Sequence, residues 1–338
     1  MPQSVSAVTH AHPGSAIEGG RVTLEGSGFR IDHAPLPAVL IGAARARVSY
    51  AAPDRLVVIV PSDVDGGEQP ITVDGVRAAA SLQVGGVCAT GLHQVDNPVF
   101  DRDGNLYVTY SGTRGQQVPV SIFRVRPNGT RETFSSGIVN PTSMAIDPDG
   151  QLYVSSRFEG IVYRVQPDGS VEPFATDLGV ACGLAFAPDG TLFVGDRSGT
   201  IFAVDREGRA RTMATLTPSV AAFHLAYGPA GAPDAALYVT GPTLAPYDSL
   251  YRIEADGTIS TRYSAFGRPQ GLAFDRHGVL HVVEALAGIS GVYRLRGAGD
   301  PELVVAGPGL VGVAFDRRGA MVVASNETAY RFVRPASD

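Results

Sequence analysis

The chain of 338 residues is long enough for one large or two modest domains, and its 41 Gly and 24 Pro, with many Val, Thr and Tyr, are typical of an all-β protein. A net charge of −6 without a basic stripe argues against a nucleic-acid partner, and no apolar run approaches the roughly 18 residues of a membrane span. All 27 basic residues are Arg, which excludes a Lys Schiff base, and Cys88 and Cys182 are too few for a disulfide framework.

Residues 1–80 precede the repeats of the later chain and have their own pattern. The opening MPQSVSAVTHAHPGS lacks the basic and apolar regions of a signal peptide, which predicts a cytoplasmic protein, or a secreted one if a leader has been removed. Short alternating strands lie between Gly and Pro turns in EGGRVTLEGSGF (18–29), PAVLIGAARARVSYAAPDRLVVIVP (37–61) and DGGEQPITVDG (65–75). This pattern predicts a small β-sandwich.

The same segment resembles the IPT/TIG family, which has an immunoglobulin-like fold. The resemblance is carried by GGRVTLEGSGF from Gly19 to Phe29, by VP at 60–61 and by the stretch from Gly66 to Val73. It implies a spacer or an interaction module.

From residue 100 onward one phrase is repeated along the chain. Its copies are FDRDGNLYV (100–108), IDPDGQLYV (146–154), FAPDGTLFV (186–194), FDRHGVLHV (274–282), FDRRGAMVV (315–323) and, more loosely, YGPAGAPDAALYV (227–239). Asp-x-Asp-Gly often begins a calcium loop, but His277 or Arg318 replaces the second acidic residue and Ala187 or Gly228 the first. Only the Gly and the apolar run that follows survive, so the phrase is interpreted as a tight hairpin turn.

The spacing of these turns predicts a propeller over residues 81–335. The residue after the turn recurs every 40 to 46 residues, at Leu106, Leu152, Leu192, Leu237, Leu280 and Met321. Each unit holds a second hairpin, so a unit has four strands and six units make a six-bladed β-propeller. The sixth unit lacks an outer strand. We expect residues around 84–90 to supply it and so to close the ring.

Residues 86–335 resemble the six-bladed group that includes NHL-repeat proteins and the senescence-marker/gluconolactonase family. The carriers are phrases such as RPQGLAFDRHGVL (268–280). Because this group holds lactonases, other hydrolases, lyases and plain scaffolds, the resemblance implies the fold more than an activity.

Polar residues at the starts of inner strands and the ends of second strands are expected to meet at one mouth of the central funnel. They are Asp96, Asn140, Cys182, His224 and Gln270 on the inner strands, and Tyr110, Ser156, Arg157, Asp196, Arg197 and Glu284 on the second strands. Such groups need partners, water or a ligand, although an Asp at a strand end often only caps backbone. His281 stands in a slot held elsewhere by Tyr or Phe and is interpreted as a packed strand residue.

The gluconolactonase resemblance also implies a metal site. In DNPVF (96–100), Asp96 stands where that family has a metal-binding Glu. The later ligand positions carry Cys182, His224 and Gln270 in place of the family's Asn or Asp. The predicted ligands of a divalent ion (Ca, Zn or Mn) are Asp96, His224 and Gln270, and the imidazole favours a transition metal.

Two functions remain open from the sequence. The first is metal-assisted hydrolysis of a small polar lactone or ester, with Glu284 or Asp196 as base and Arg157 or Arg197 holding an anionic group. Asn140, Tyr110 and Gln270 would complete the substrate site, and without metal His224 could be the acid/base of a hydrolase or lyase. The alternative is a non-catalytic NHL-like module that binds a protein or carbohydrate.

Overall fold

The structure is a computed structural model that describes residues 7–31, 35–74, 76–229, 231–232, 235–297 and 299–332. The regular elements in these residues are strands, and no helix there is suited to crossing a membrane. The first nine strands are β1 (Ala7–His12), β2 (Ser15–Ala16), β3 (Arg21–Ser27), β4 (Val39–Ile41), β5 (Ala44–Ala52), β6 (Arg55–Ile59), β7 (Gly67–Val73), β8 (Val76–Val84) and β9 (Gly86–Thr90).

Four separate antiparallel sheets of four strands follow in chain order and are called blades 1 to 4. Blade 1 is β10 (Val99–Phe100), β11 (Leu106–Thr109), β12 (Ile122–Val125) and β13 (Arg131–Ser135). Blade 2 is β14 (Pro141–Ile146), β15 (Leu152–Ser156), β16 (Ile161–Val165) and β17 (Val171–Ala175). Blade 3 is β18 (Ala181–Phe186), β19 (Leu192–Asp196), β20 (Thr200–Val204) and β21 (Ala210–Thr215). Blade 4 is β22 (His224–Gly228), β23 (Ala236–Thr240), β24 (Asp248–Ile253) and β25 (Ile259–Phe266).

A fifth separate sheet, the closing blade, joins the two ends of the propeller. It contains β30 (Leu310–Phe315), β31 (Met321–Ser325) and β32 (Thr328–Phe332), with β9 as its outer strand. β9 pairs antiparallel with β32, for example Ala89 with Ala329. The predicted closure by residues around 84–90 is therefore confirmed.

The remaining strands belong to a sheet of twelve. They are β26 (Pro269–Phe274), β27 (Leu280–Glu284), β28 (Gly291–Leu295) and β29 (Glu302–Ala306). They pair in sequence like a blade, but the sheet continues from β29 through β2 into the N-terminal strands. β26 lies between β22 and β30, so the inner strands β10, β14, β18, β22, β26 and β30 close a ring.

The β-propeller prediction is confirmed, but six separate blades and a separate IPT/TIG-like sandwich are not. The physical reason is β2, a buried pair of residues that forms parallel pairs with β8 on one side and with β29 on the other. The apolar core of the N-terminal strands, which includes Leu24 and Ile71, also contains Ala306 from β29. Tyr330 of the closing blade donates a hydrogen bond of 2.7 Å to Glu18. The N-terminal strands are thus continuous with the propeller.

The repeated turn uses its first carboxylate locally. Asp101 Oδ1 accepts the backbone N–H groups of Asp103 and Asn105, both at 2.9 Å, and Gly104 has a φ of 82°. Where Ala187 replaces this Asp, the backbone bond from Ala187 N to Thr191 O is kept at 2.9 Å. The turn interpretation is confirmed, because the carboxylate is used by its own hairpin and can be dispensed with.

Candidate functional site

Asp96, just before β10, and His224, the first residue of β22, form a hydrogen bond inside the ring. His224 Nδ1 lies 2.6 Å from Asp96 Oδ1, and the two side chains are 0% and 2% exposed. β10 and β22 stand three places apart in the ring of inner strands, so the bond joins its opposite sides. The structure thus brings two of the predicted site residues into direct contact, while their roles stay predictions.

Close backbone packing brings Asp96 to this position. A Cβ added to Gly312 would lie 2.6 Å from Asp96 O, and one added to Gly271 would lie 2.2 Å from Asn97 Oδ1. The Asn97 side chain donates to Leu272 O at 2.9 Å and accepts from Val313 N at 3.0 Å. Residues 96 and 97 are therefore held against β26 and β30, and the ring admits them because glycines stand opposite.

The second nitrogen of His224 is the unusual atom of the site. Nε2 is buried and has no hydrogen-bond partner among the described residues. Leaving such a group unpaired costs about 1–3 kcal/mol. Because Asp96 can only accept, Nδ1 carries the proton in this pair, and in the neutral ring Nε2 presents a lone pair.

Cys182, the second residue of β18, lies within electrostatic reach of several predicted residues. Its pKa is raised to about 12, chiefly by burial, while the charge of Arg157 lowers it and the charges of Asp96 and Asp196 raise it. The thiol donates to Val180 O at 3.2 Å. Cys182 is therefore a protonated, packed thiol and is unsuited to act as a nucleophile.

Both predicted catalytic carboxylates accept hydrogen bonds from their own neighbourhood. Glu284 accepts the N–H groups of Gly267, Arg268 and Leu286 at 2.6 to 2.8 Å. Asp196 accepts Val180 N at 2.8 Å and the Ser198 hydroxyl.

These bonds give both carboxylates structural partners at the ends of second strands. Glu284 has no hydrogen bond to Asp96 or His224, so the structure does not bring the predicted base into contact with the pair.

Asn140 holds a loop at the same mouth. Its side chain accepts Gly115 N at 2.7 Å and donates to Ser111 O at 2.6 Å and to Thr113 O at 2.8 Å. Its φ is 50°, a left-handed value that Asn tolerates better than most residues. With its amide used in this way, Asn140 shapes the mouth more than it could contact a ligand.

Three arginines lie at the mouth. Arg157 and Arg197 follow β15 and β19, and Arg114 lies on the loop held by Asn140. Their guanidinium groups make no ion pair or hydrogen bond with the described residues. Arg157 is half-buried, and its pKa is lowered by burial and by the charges of Arg197 and Arg114. An anion placed here would offset this repulsion.

His93 and Tyr110 stand at the same mouth, and His93 was not predicted from the sequence. The two residues pair in parallel and their rings meet edge to face at 6.1 Å. The pKa of His93 is lowered by partial burial and by the charge of Arg157. Its position three residues before Asp96 is the signal that could have found it.

The predicted metal ligands do not form a ligand set in this arrangement. Asp96 and His224 bond directly at 2.6 Å, which leaves no room for an ion between these two atoms. The Gln270 side chain has no hydrogen bond to either residue, and the described residues contain no group of three His, Cys, Asp or Glu suited to an ion. The metal stays a prediction, and no chemical step is assigned to it.

The other end of the channel is lined mainly by apolar residues, together with Asn97, Asp275 and Arg276. A cavity of about 450 Å³ lies among the second halves of the inner strands. Its lining includes Phe100, Met144, Leu184, Leu225 and Phe274. The polar and apolar ends are thus separated by the packed level of Asp96 and His224.

No family model matches the chain, and no curated protein matches its sequence. Solved structures do match. An auxiliary nutrient binding protein from Bacteroides thetaiotaomicron is 13% identical, covers 98% of each chain and has a TM-score of 0.57. A proposed gluconolactonase is 17% identical over 73% of this chain and 90% of its own, with a TM-score of 0.58. Virginiamycin B lyase from Staphylococcus aureus is 12% identical over 99% and 96% of the chains, with a TM-score of 0.51. At these identities the likeness shows the propeller fold alone.

Proposed function

We propose that the chain is a propeller enzyme that acts on a small polar ester or lactone by proton transfer at His224. The observation that carries this proposal is the buried Asp96–His224 pair, in which Nδ1 is bonded and Nε2 has no partner within the described residues. Asp96 fixes the ring orientation and the tautomer, as a carboxylate does for a general base. The structural likeness to a proposed gluconolactonase and to a lyase is compatible with such chemistry.

In hydrolysis, the oxygen of a water molecule would attack the substrate carbonyl while its proton passes to His224 Nε2. The carbon–oxygen bond of the ester would then break, and the leaving oxygen would take that proton back. A lyase would use the same nitrogen to remove a proton next to a carbonyl and return it to the oxygen that leaves. Neither route requires Glu284, whose carboxylate accepts backbone N–H groups, or Asp196, which accepts Val180 N and the Ser198 hydroxyl.

The arginines at the mouth support an anionic substrate. Arg157 is half-buried and has no acidic partner in the part of the chain that the structure describes, and Arg197 and Arg114 add positive charge beside it. A carboxylate or phosphate on the substrate would bind there. Residues 1–80 would serve as a spacer or interaction module on the propeller of residues 81–335.

The alternative is a binding module without catalysis, for a small polar molecule, a carbohydrate or a protein. It is favoured by the complete burial of His224, since a substrate would have to displace side chains at the mouth to reach it. The likeness to nutrient binding proteins is compatible with this alternative.

The test is turnover of glucono-δ-lactone and of p-nitrophenyl acetate by the full chain. We expect His224→Gln to abolish turnover and Asp96→Asn to reduce it, with the exposed His10→Gln as matched control. Equal turnover in His224→Gln and in the unaltered protein would refute the enzyme proposal. No turnover, combined with thermal stabilisation by gluconate that is lost in Arg157→Met, would favour the binding module.

A further inference from the structure

A cavity of about 320 Å³ lies between the β26–β29 strands and the closing blade, away from Asp96 and His224. Polar residues around it are Asp275, Arg276, His277, His281, Arg294 and Arg296. Its apolar wall comprises Val279, Val304, Phe315 and Met321. The volume is at the lower end of the roughly 300–1,000 Å³ found for small-molecule sites.

The repeat supplies a matched cavity between blades 2 and 3, with a volume of about 340 Å³. There the polar groups satisfy one another. Arg164 Nε donates to the Tyr153 hydroxyl at 3.1 Å, and its Nη1 donates to Glu172 at 3.1 Å. Phe174 packs beside the guanidinium, with its ring centroid 5.2 Å away.

In the β26–β29 cavity two of the residues beside the arginine differ from those in blade 2. His281 pairs across the strands with Arg294, as Tyr153 pairs with Arg164, and Val304 stands where blade 2 has Phe174. Arg294 keeps only its ion pair with Glu302, at 2.9 Å from Nη2. Its Nε is buried and has no hydrogen-bond partner among the described residues.

Among the side chains that line the cavity, three arginines (Arg276, Arg294 and Arg296) outnumber the single carboxylate of Asp275, which favours an anion. The Asp275 carboxylate already accepts the N–H groups of His277 and Val279, both at 2.9 Å. Arg276 extends to the next turn, where Nη1 donates to Arg318 O at 3.2 Å, and has no carboxylate partner among the described residues.

His281 adds no charge of its own near neutral pH. It is 6% exposed, and Nδ1 lies 3.1 Å from Val279 O, to which it can only donate. Burial lowers its pKa to about 4. The cationic character of the cavity therefore comes from the arginines.

We propose that this cavity binds a small organic monocarboxylate, with the carboxylate on Arg294 and the apolar body against Val304, Phe315 and Met321. A carboxylate oxygen would satisfy the buried Nε with a charge-assisted hydrogen bond. The apolar wall disfavours inorganic phosphate, which has nothing to place there.

The test uses benzoate and hexanoate as probes, followed by ligand-observed NMR and by titration to saturation, with benzyl alcohol as the neutral counterpart. Arg294→Met removes the proposed donor, and Arg164→Met makes the same change in the matched cavity. Val304→Phe places at the apolar wall the ring that blade 2 has beside its arginine. Circular dichroism verifies that each variant is folded. If Val304→Phe does not fold, the result for Arg294→Met alone decides the test.

We expect saturable binding of at least one carboxylate and none of benzyl alcohol. Arg294→Met and Val304→Phe should each weaken binding by more than about tenfold, because the first removes a charged hydrogen bond and the second places a ring where the apolar body is proposed to lie. Arg164→Met should bind as the unaltered protein does. The absence of saturable binding by both carboxylates, or unchanged affinity in either folded variant of the β26–β29 cavity, would overturn the proposal.

Discussion

Acidification is expected to lower the stability of the fold through His281, a buried residue of β27 that packs against the closing blade. Its pKa falls from the ordinary 6.5 to about 4, mainly because burial penalises the charged ring. Arg294 and Arg296 lower it further, whereas Asp275 raises it. The Phe315 ring, 4.8 Å away, covers the imidazole and offers no charge.

The fold loses stability on acidification because the unfolded chain binds the proton more readily than the folded chain does. Between pH 6.5 and about 4 the unfolded chain protonates this histidine and the folded chain does not. The stabilisation is therefore complete above pH 6.5 and is lost as the pH falls toward about 4. At about 1.4 kcal/mol for each tenfold step in proton concentration, the loss amounts to about 3 kcal/mol.

Urea unfolding of the unaltered protein and of His281→Tyr, each at neutral pH and near pH 4, measures this loss. Tyrosine is the residue of blade 2 at this position and does not titrate in the range. We expect the stability of the unaltered protein relative to the variant to fall by about 3 kcal/mol on acidification. His277→Gln, which removes an exposed histidine of the same turn, is the matched control. An identical pH dependence in His281→Tyr and the unaltered protein would refute the argument.

Other consequences concern the ring and its polar residues. Gly271→Ala would place a methyl group 2.2 Å from Asn97 Oδ1 and should lower the free energy of unfolding by about 1–3 kcal/mol, whereas Gly299→Ala, whose nearest atom is 3.6 Å away, should change it little. Glu284→Gln should destabilise by about 2 kcal/mol in urea unfolding, because an amide oxygen cannot replace two carboxylate oxygens that accept three N–H groups, yet turnover per folded molecule should persist. Elemental mass spectrometry on the unaltered protein and on His224→Gln tests the predicted metal; a stoichiometric metal that is lost in the variant would place His224 Nε2, whose Nδ1 is bonded to Asp96, among the ligands.

The parts of the fold that repeat locally could be predicted from the sequence. Each hairpin depends on a Gly and a short polar residue within five positions, so its turn can be inferred without knowledge of the rest of the chain. Ring closure followed because one unit lacked an outer strand and one unpaired segment, now β9, preceded the first. The junction with the N-terminal strands could not be predicted, because β2 is only Ser15–Ala16 and two residues carry no alternation pattern.

The location of the candidate site residues could be predicted from the sequence, whereas their hydrogen-bond partners were harder to predict. Inner strands begin at one face, which brought Asp96 and His224 together from distant parts of the chain. The engagement of Glu284 depends on loop residues 267, 268 and 286, whose N–H groups turn toward it. The orientation of these loop N–H groups depends on the packing of the assembled blades, and the repeat pattern of the sequence does not predict it.

His281 and Val304, which depart from the repeat within β26–β29, lie in strands whose outer edge is not free. The edge of β29 is covered by β2, and its residues 304–306 are all buried, whereas the outer strand of blade 2 ends in a single buried residue. A covered outer strand gains apolar contacts from its neighbour, so the fold can tolerate Val304 where blade 2 uses a ring. In the same strands His281 replaces the tyrosine of blade 2, and Arg294 Nε then has no hydrogen-bond partner among the described residues. The donor without a partner therefore lies in strands whose outer edge is covered by β2, where local hydrogen-bond satisfaction is less needed to hold the strands together.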